Sequence, residues 1–293
     1  QYTYTQAFLD TIERFDTSFA SNLILNASIG ARANYWTLNN EVVFSPRARI
    51  SIRPRWYVMH NDTLRRRDAE IRLSGGYYYQ PPFYRELRSF DGSLNRDIRA
   101  QRSIHAVLGG DFSFYLWDRV FKYTAEVYYK DLGNLIPYEI DNVRIRYYAE
   151  NSARGYAAGL DMKLHGEFIR GVESWVRMSV MQTNEDVLND FYYDYLNSAG
   201  ETIIPGVTED DIIVDSARVE PGSIPRPTDQ RFTFGLFFQD NMPGLEALKV
   251  QLSFIFGTSL PYGPPSFERY RDTLRTPSYR RVDLGLSYDF LSN

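Results

Sequence analysis

The sequence predicts an all-β fold, an antiparallel transmembrane β-barrel, on three observations. Nearly every apolar segment alternates with period two, connections switch between short and long, and aromatic residues make up 16% of the chain. A strand sends successive side chains to opposite faces, so such alternation marks a wall with one apolar and one polar side. The run 279–290 carries the pattern most plainly. Val282, Leu284, Leu286, Tyr288 and Phe290 fall on one face, while Arg281, Asp283, Gly285, Ser287 and Asp289 fall on the other. A half-buried strand of a soluble sandwich has this pattern, and so does a strand with lipid outside and water inside.

Taken in order, Gln1 to Phe8 predicts a short aromatic strand and Leu9 to Phe19 a polar connection. Asn22 to Trp36 alternates Leu23, Leu25, Ala27, Ile29 and Ala31 against Asn26, Ser28, Gly30, Arg32 and Asn34. After Pro46, Ala48, Ile50 and Ile52 oppose Arg47, Arg49, Ser51, Arg53 and Arg55; Ile71 to Tyr79 follows, with Arg72, Ser74, Gly76 and Tyr78 on its polar side. Ile104 to Trp117 and Phe121 to Tyr129 read as a hairpin turning at Asp118 and Arg119. Tyr156 to Leu164, Glu173 to Thr183, Arg231 to Gln239, Lys249 to Gly257 and the run 279–290 complete about eleven strands. Most are roughly 9–14 residues, the length that crosses a bilayer at a tilt. No helical periodicity occurs.

Short connections near Asp118, Gly171 and 241–247 and a medium one at 60–68 contrast with long ones at 80–102, 131–153, 184–228 and 258–277. Outer-membrane barrels share this asymmetry, with short periplasmic turns and long extracellular loops. The strands are also long for a soluble sandwich. Tyr35, Trp36, Tyr77, Tyr79, Trp117, Tyr129 and Tyr156 recur at the ends of apolar runs, as interfacial girdles do. These features weigh for the membrane barrel over a soluble carbohydrate-binding sandwich.

Composition narrows the function classes. With 43% apolar and 24% charged residues the chain is neither disordered nor a helical membrane protein. A net charge of −4 argues against a nucleic-acid partner, and the absence of cysteine removes disulfides, thiolate metal sites and cysteine catalysis. The start at Gln1, without Met or leader, reads as a cut. No phosphate loop, zinc spacing or nucleophile elbow occurs, so no enzyme activity, catalytic residue, cofactor or metal is expected. His60, His105 and His165 sit on separate elements and read as solvated residues. The acidic run Glu185, Asp186, Asp190, Asp194, Glu209, Asp210, Asp211 and Asp215 reads as a solvated loop rather than a calcium site.

Several segments, in order along the chain, resemble TonB-dependent outer-membrane receptors, especially a Bacteroidetes-type subset. They are GARANYW at 30–36 with SPR at 45–47, GYYYQPPFYRELR at 76–88, GYAAGLD at 155–161, RPTDQR at 226–231, LPYGPP at 260–265 and YRRVDLG at 279–285. The resemblance implies the C-terminal part of a 22-stranded barrel, with about eleven strands here and the plug domain absent from this chain. It implies uptake of a scarce nutrient (siderophore, glycan, peptide or cofactor) across the outer membrane of a Gram-negative bacterium. The implied partners are outer-membrane lipid, the receptor's own plug, a TonB-type energy-coupling protein acting through that plug, and a surface lipoprotein. The alternative is an outer-membrane barrel without transport, such as an adhesin or an assembly or binding protein.

Two groups of residues are candidate sites. Tyr78, Tyr79, Phe83 and Tyr84 offer stacking faces, and Arg85 and Arg88 offer charge-assisted donors, a mixture suited to sugars, siderophores or anions at a barrel mouth. The same residues also suit a rigid loop sealed against a plug. The row Arg47, Arg49, Arg53 and Arg55 is expected to face the lumen, against the plug or passing anions.

Overall fold

A computed structural model describes residues 13–17, 23–60, 63–141, 144–169, 172–242, 245–263, 269–271 and 273–290. They form an antiparallel sheet whose eleven principal strands follow one another in sequence order. These are β1 (Glu13–Thr17), β2 (Leu23–Trp36), β3 (Glu41–Pro54), β4 (Ala69–Gln80), β5 (Gln101–Leu116) and β6 (Arg119–Leu135). The others are β7 (Ala153–Ile169), β8 (Val172–Val187), β9 (Phe232–Met242), β10 (Leu245–Gly257) and β11 (Tyr279–Tyr288). No helix occurs among the described residues. Within them β1 and β11 each pair on one side only, so the sheet is open.

Three expectations change. The strand expected at Gln1 to Phe8 lies outside the described residues, and Glu13–Thr17, read as connection, pairs with β2 instead. The turn after β5 is Trp117–Asp118, one residue earlier than expected. Both residues hold positive φ (53° and 57°), the geometry of a two-residue turn whose twist matches its strands. The medium connection before β4 is itself a hairpin, Trp56–His60 against Thr63–Arg67.

Up-and-down order puts successive connections at opposite ends. One end, here the turn end, carries Trp117–Asp118, the end of β7 with the start of β8, the end of β9 with the start of β10, and the hairpin of Trp56–His60 with Thr63–Arg67. The other, the loop end, carries 37–40 and the long segments 81–100, 136–152, 188–231 and 258–278.

Register sorts the two faces without exception along a row. On one face Ile50, Leu73, Leu108, Val127, Leu160, Val180 and Phe232 lie side by side from β3 to β9. On the other, Arg72, Gly109, Glu126, Asp161, Ser179, Thr233, Gly257 and Tyr279 do so from β4 to β11. Arg72 ion-pairs with Asp111 at 2.9 Å and reaches across β5 to Glu126. Gly109 permits that reach, since a Cβ there would sit 3.0 Å from Arg72 Nε. A cavity of about 600 Å³ against this face is lined from Thr124 on β6 to Tyr279 on β11.

The apolar face stands open. Val42, Ile71, Val282 and Leu284 are 69, 59, 61 and 77% exposed, and no described element covers the row between them. Aromatic residues border it at both ends. Tyr35, Tyr77, Tyr129 and Tyr156 lie toward the loop end, and Phe112, Phe114, Phe121 and Phe168 form a contiguous ring cluster toward the turn end. From Tyr123 to Tyr129 along β6 is about 20 Å at the rise of an antiparallel strand.

Candidate functional site

At the loop end short hairpins stand off the main sheet, and side chains tie the separate segments together. Asn151 binds the backbone of Arg99 in both directions (2.7 and 3.0 Å) and donates to the Asn134 carbonyl at 2.8 Å. Asn95 donates to the Ala149 carbonyl at 2.8 Å, and Asn39 to that of Ile98 at 2.8 Å. The Ala100 amide donates to the Glu41 carboxylate at 2.8 Å. Beneath these contacts Leu132, Leu135, Ala153 and Val187 make a small buried cluster, with Ile98 and Ile136 also buried.

Segment 81–100 turns twice. Glu86 closes the first turn: its amide donates to the Phe83 carbonyl at 2.9 Å and its carboxylate accepts the Phe83 amide at 2.8 Å. Burial pushes the Glu86 carboxyl above its ordinary value, against the hydrogen bonds from Phe83 and Gln101. The second turn has Gly92 at φ +87°. Its Asp91 carboxylate accepts the Ser89 hydroxyl and the Ser93 amide, which hold its pKa down to about 2.

Facing these turns is the hairpin Tyr138–Asp141 with Arg144–Tyr147. Between the two loops lies a cavity of about 580 Å³. Arg85, Arg88 and Arg146 line it together with Tyr84, Phe90 and Tyr147. The Arg146 guanidinium lies 4.6 Å over the Phe90 ring, which packs on Tyr148 at 4.8 Å. Arg85 Nε donates to the Tyr84 hydroxyl at 3.1 Å. Burial and the neighbouring Glu86 charge raise the Tyr147 phenol above its ordinary value, against the pull of Arg85. Three guanidiniums set among aromatic faces suit a flat, negatively charged ligand.

The six residues expected to form one site separate. Tyr84, Arg85 and Arg88 line the cavity. Phe83 is exposed at the first turn. Tyr79 lines a separate cavity of about 220 Å³ with Tyr35, Trp36 and Pro81. Tyr78 lies on the polar sheet face, between the Arg47 guanidinium at 4.4 Å and the His105 ring at 4.2 Å. Its polar-side parity in β4 already pointed there. Arg146 and Phe90, which sequence reading passed over, have no periodic signature.

The arginine row divides too. Arg47 stacks on Tyr78, while Arg49 and Arg53 both bind Glu70, at 3.1 and 2.9 Å. Glu70 is only 8% exposed, so this pairing occupies two of the row within the sheet itself. Arg55 lies past the end of β3, exposed, in the link to the 56–67 hairpin.

The acidic run is not one unit. Glu185 is 1% exposed and held by Arg226 at 2.8 Å and by Arg269, which fastens 258–278 to β8. Fully buried Asp229 binds the Thr183 amide, Arg231 and Arg275. Among the described residues no cluster of three or more His, Asp or Glu could hold a metal ion. His165 bonds Glu173 at 3.0 Å, His105 packs under Tyr78, and the His60 side chain lies outside the described residues. No protein-family model matches the chain, and no curated protein matches it.

Proposed function

We propose that the chain forms part of the wall of a larger outer-membrane β-barrel of the TonB-dependent receptor type, which takes up a scarce nutrient. The observation that carries this reading is the uncovered apolar face, continuous across the strands and bordered by aromatic residues. Soluble monomers rarely leave more than a few hundred Å² of contiguous apolar surface in water. Lipid removes that cost, and ladder pairing leaves the backbone satisfied there. The polar face then lines the lumen. In up-and-down order β1 and β11 run in the same direction, so all-antiparallel closure takes an odd number of further strands.

In this reading the long loops face outward and the cavity of Tyr84, Arg85, Arg88 and Arg146 captures the ligand. A plug, moved by a TonB-type protein, opens the lumen, and the ligand passes along the polar face. No bond is made or broken. Arg47, beside Tyr78, is the member of the arginine row best placed to meet a plug or an anion.

Fractionation tests the membrane half: the protein should pellet with membranes, resist alkaline carbonate and require detergent for release. Recovery in the supernatant without detergent would favour a soluble sandwich. The complete reading frame tests the receptor half, with an upstream plug domain expected. A barrel with no plug, still anchored in the outer membrane, would favour the non-transporting alternative.

A further inference from the structure

The polar face breaks a rule of strand pairing at one place, and a cavity lies over it. Glu126 on β6 stands opposite Asp161 on β7, and Lys163 on β7 stands opposite Arg177 on β8. Like charges directly opposite one another on antiparallel strands destabilise a sheet. Exchanging Asp161 with Lys163 would turn both repelling pairs into attracting ones. Sheet stability therefore does not account for the arrangement, and such departures from local consistency are expected at functional sites.

Three of the four charges have no ionic partner among the described residues. Glu126 meets Arg72, but Asp161 accepts only the Ser179 hydroxyl. No carboxylate among the described residues lies within ion-pair distance of Lys163 or Arg177. The Arg177 guanidinium rests 5.1 Å over the Trp175 ring, and its side chain crosses Gly235 on β9, where a Cβ would stand 2.8 Å from its Nε. All four charged residues line the cavity of about 600 Å³, whose remaining polar lining includes Ser179 and Thr233. A space of that size suits a small organic ligand. Residues two apart on a strand share a face, so the acidic pair and the basic pair are separated by about 7 Å along the strands.

We propose that this cavity binds a zwitterion, with its ammonium on Glu126 and Asp161 and its carboxylate about 7 Å away on Lys163 and Arg177. The site stands on the cavity and its charges; its role as a station on a lumen wall rests on the uptake reading above. A solute of one charge fits less well, since it meets a repelling pair within the same cavity.

Calorimetry on the detergent-solubilised chain tests this with 6-aminohexanoate, whose charges have the required spacing when extended, against hexanoate and hexylamine, which each keep one charge. The zwitterion should bind at least about tenfold more tightly than either, the scale of one charge-assisted contact. The exchange variant Asp161→Lys/Lys163→Asp should resist urea better than the wild type, because both repulsions vanish, and should lose the preference. Arg177→Gln should weaken binding of 6-aminohexanoate and hexanoate without weakening that of hexylamine. Lys249→Gln, on the same face but outside the cavity, should leave all three affinities unchanged. Equal affinity for the three probes, binding of none, or a preference that the exchange variant retains would overturn the proposal and leave the membrane wall intact. Recovery of the chain without detergent, with the zwitterion preference present, would overturn the uptake reading alone.

Discussion

The two ends of this sheet are built by different physics. At the turn end, the Trp117–Asp118 turn joins β5 directly to β6, and ladder register largely determines where side chains stand. At the loop end, four long segments leave the sheet and need partners of their own. Those partners are buried ion pairs and amide brackets joining residues far apart in sequence, such as Glu185 with Arg269 and Asn151 with Arg99. The turn end is therefore local in sequence, and the loop end is not.

Breaking one ion pair at each end exposes the contrast most strongly. Glu185→Ala strands Arg269, whose side chain is 4% exposed, without its carboxylate and should cost about 3–5 kcal/mol. Glu173→Ala at the turn end removes a 71% exposed partner of His165 and should cost under about 1 kcal/mol. Urea unfolding of both variants in the same detergent measures the difference; equal costs would erase the distinction. Asn151→Ala comes next. Loss of its three backbone contacts should lower stability by about 1–2 kcal/mol and speed amide exchange in 95–100 ahead of the strands. Asp118→Gly, at φ 57°, should be neutral or stabilising by about 0.5 kcal/mol, because glycine holds that conformation without strain.

The smallest effect is a titration. Asp91 is held down to about 2, so its turn contributes stability above the ordinary 3.8 and loses it as the pH falls through about 2. Carboxyl-carbon NMR should find that low midpoint, and a midpoint near 3.8 would mean that Ser89 and Ser93 do not hold the group.

Strands were legible in the sequence wherever a side chain's face follows from counting by twos. Ile104 to Trp117 was expected and Gln101–Leu116 is found; the run from Tyr279 was expected to reach Phe290 and pairs to Tyr288. Counting failed where the chain leaves the wall. Trp56–His60 is too short for a period to declare itself, and Glu13–Thr17 mixes charge with a single aromatic. The cavity was half legible: Tyr84, Arg85 and Arg88 are close in sequence, but Arg146 arrives from another loop. Glu185 read as one acid among eight because its partners, Arg226 and Arg269, lie 41 and 84 residues away.

The division of the wall into a lipid face and a water face is open to direct measurement, since the chain contains no cysteine to interfere. Single cysteines at Leu73, Leu108 and Val127 on one face, and at Ser74, Thr124 and Ser179 on the other, can each carry a spin label in reconstituted vesicles. Labels at the first three should collide with oxygen dissolved in lipid and be shielded from a water-soluble nickel complex, and labels at the second three should show the reverse. Equal exposure of both sets to the nickel complex would contradict the membrane wall and return the sheet to water.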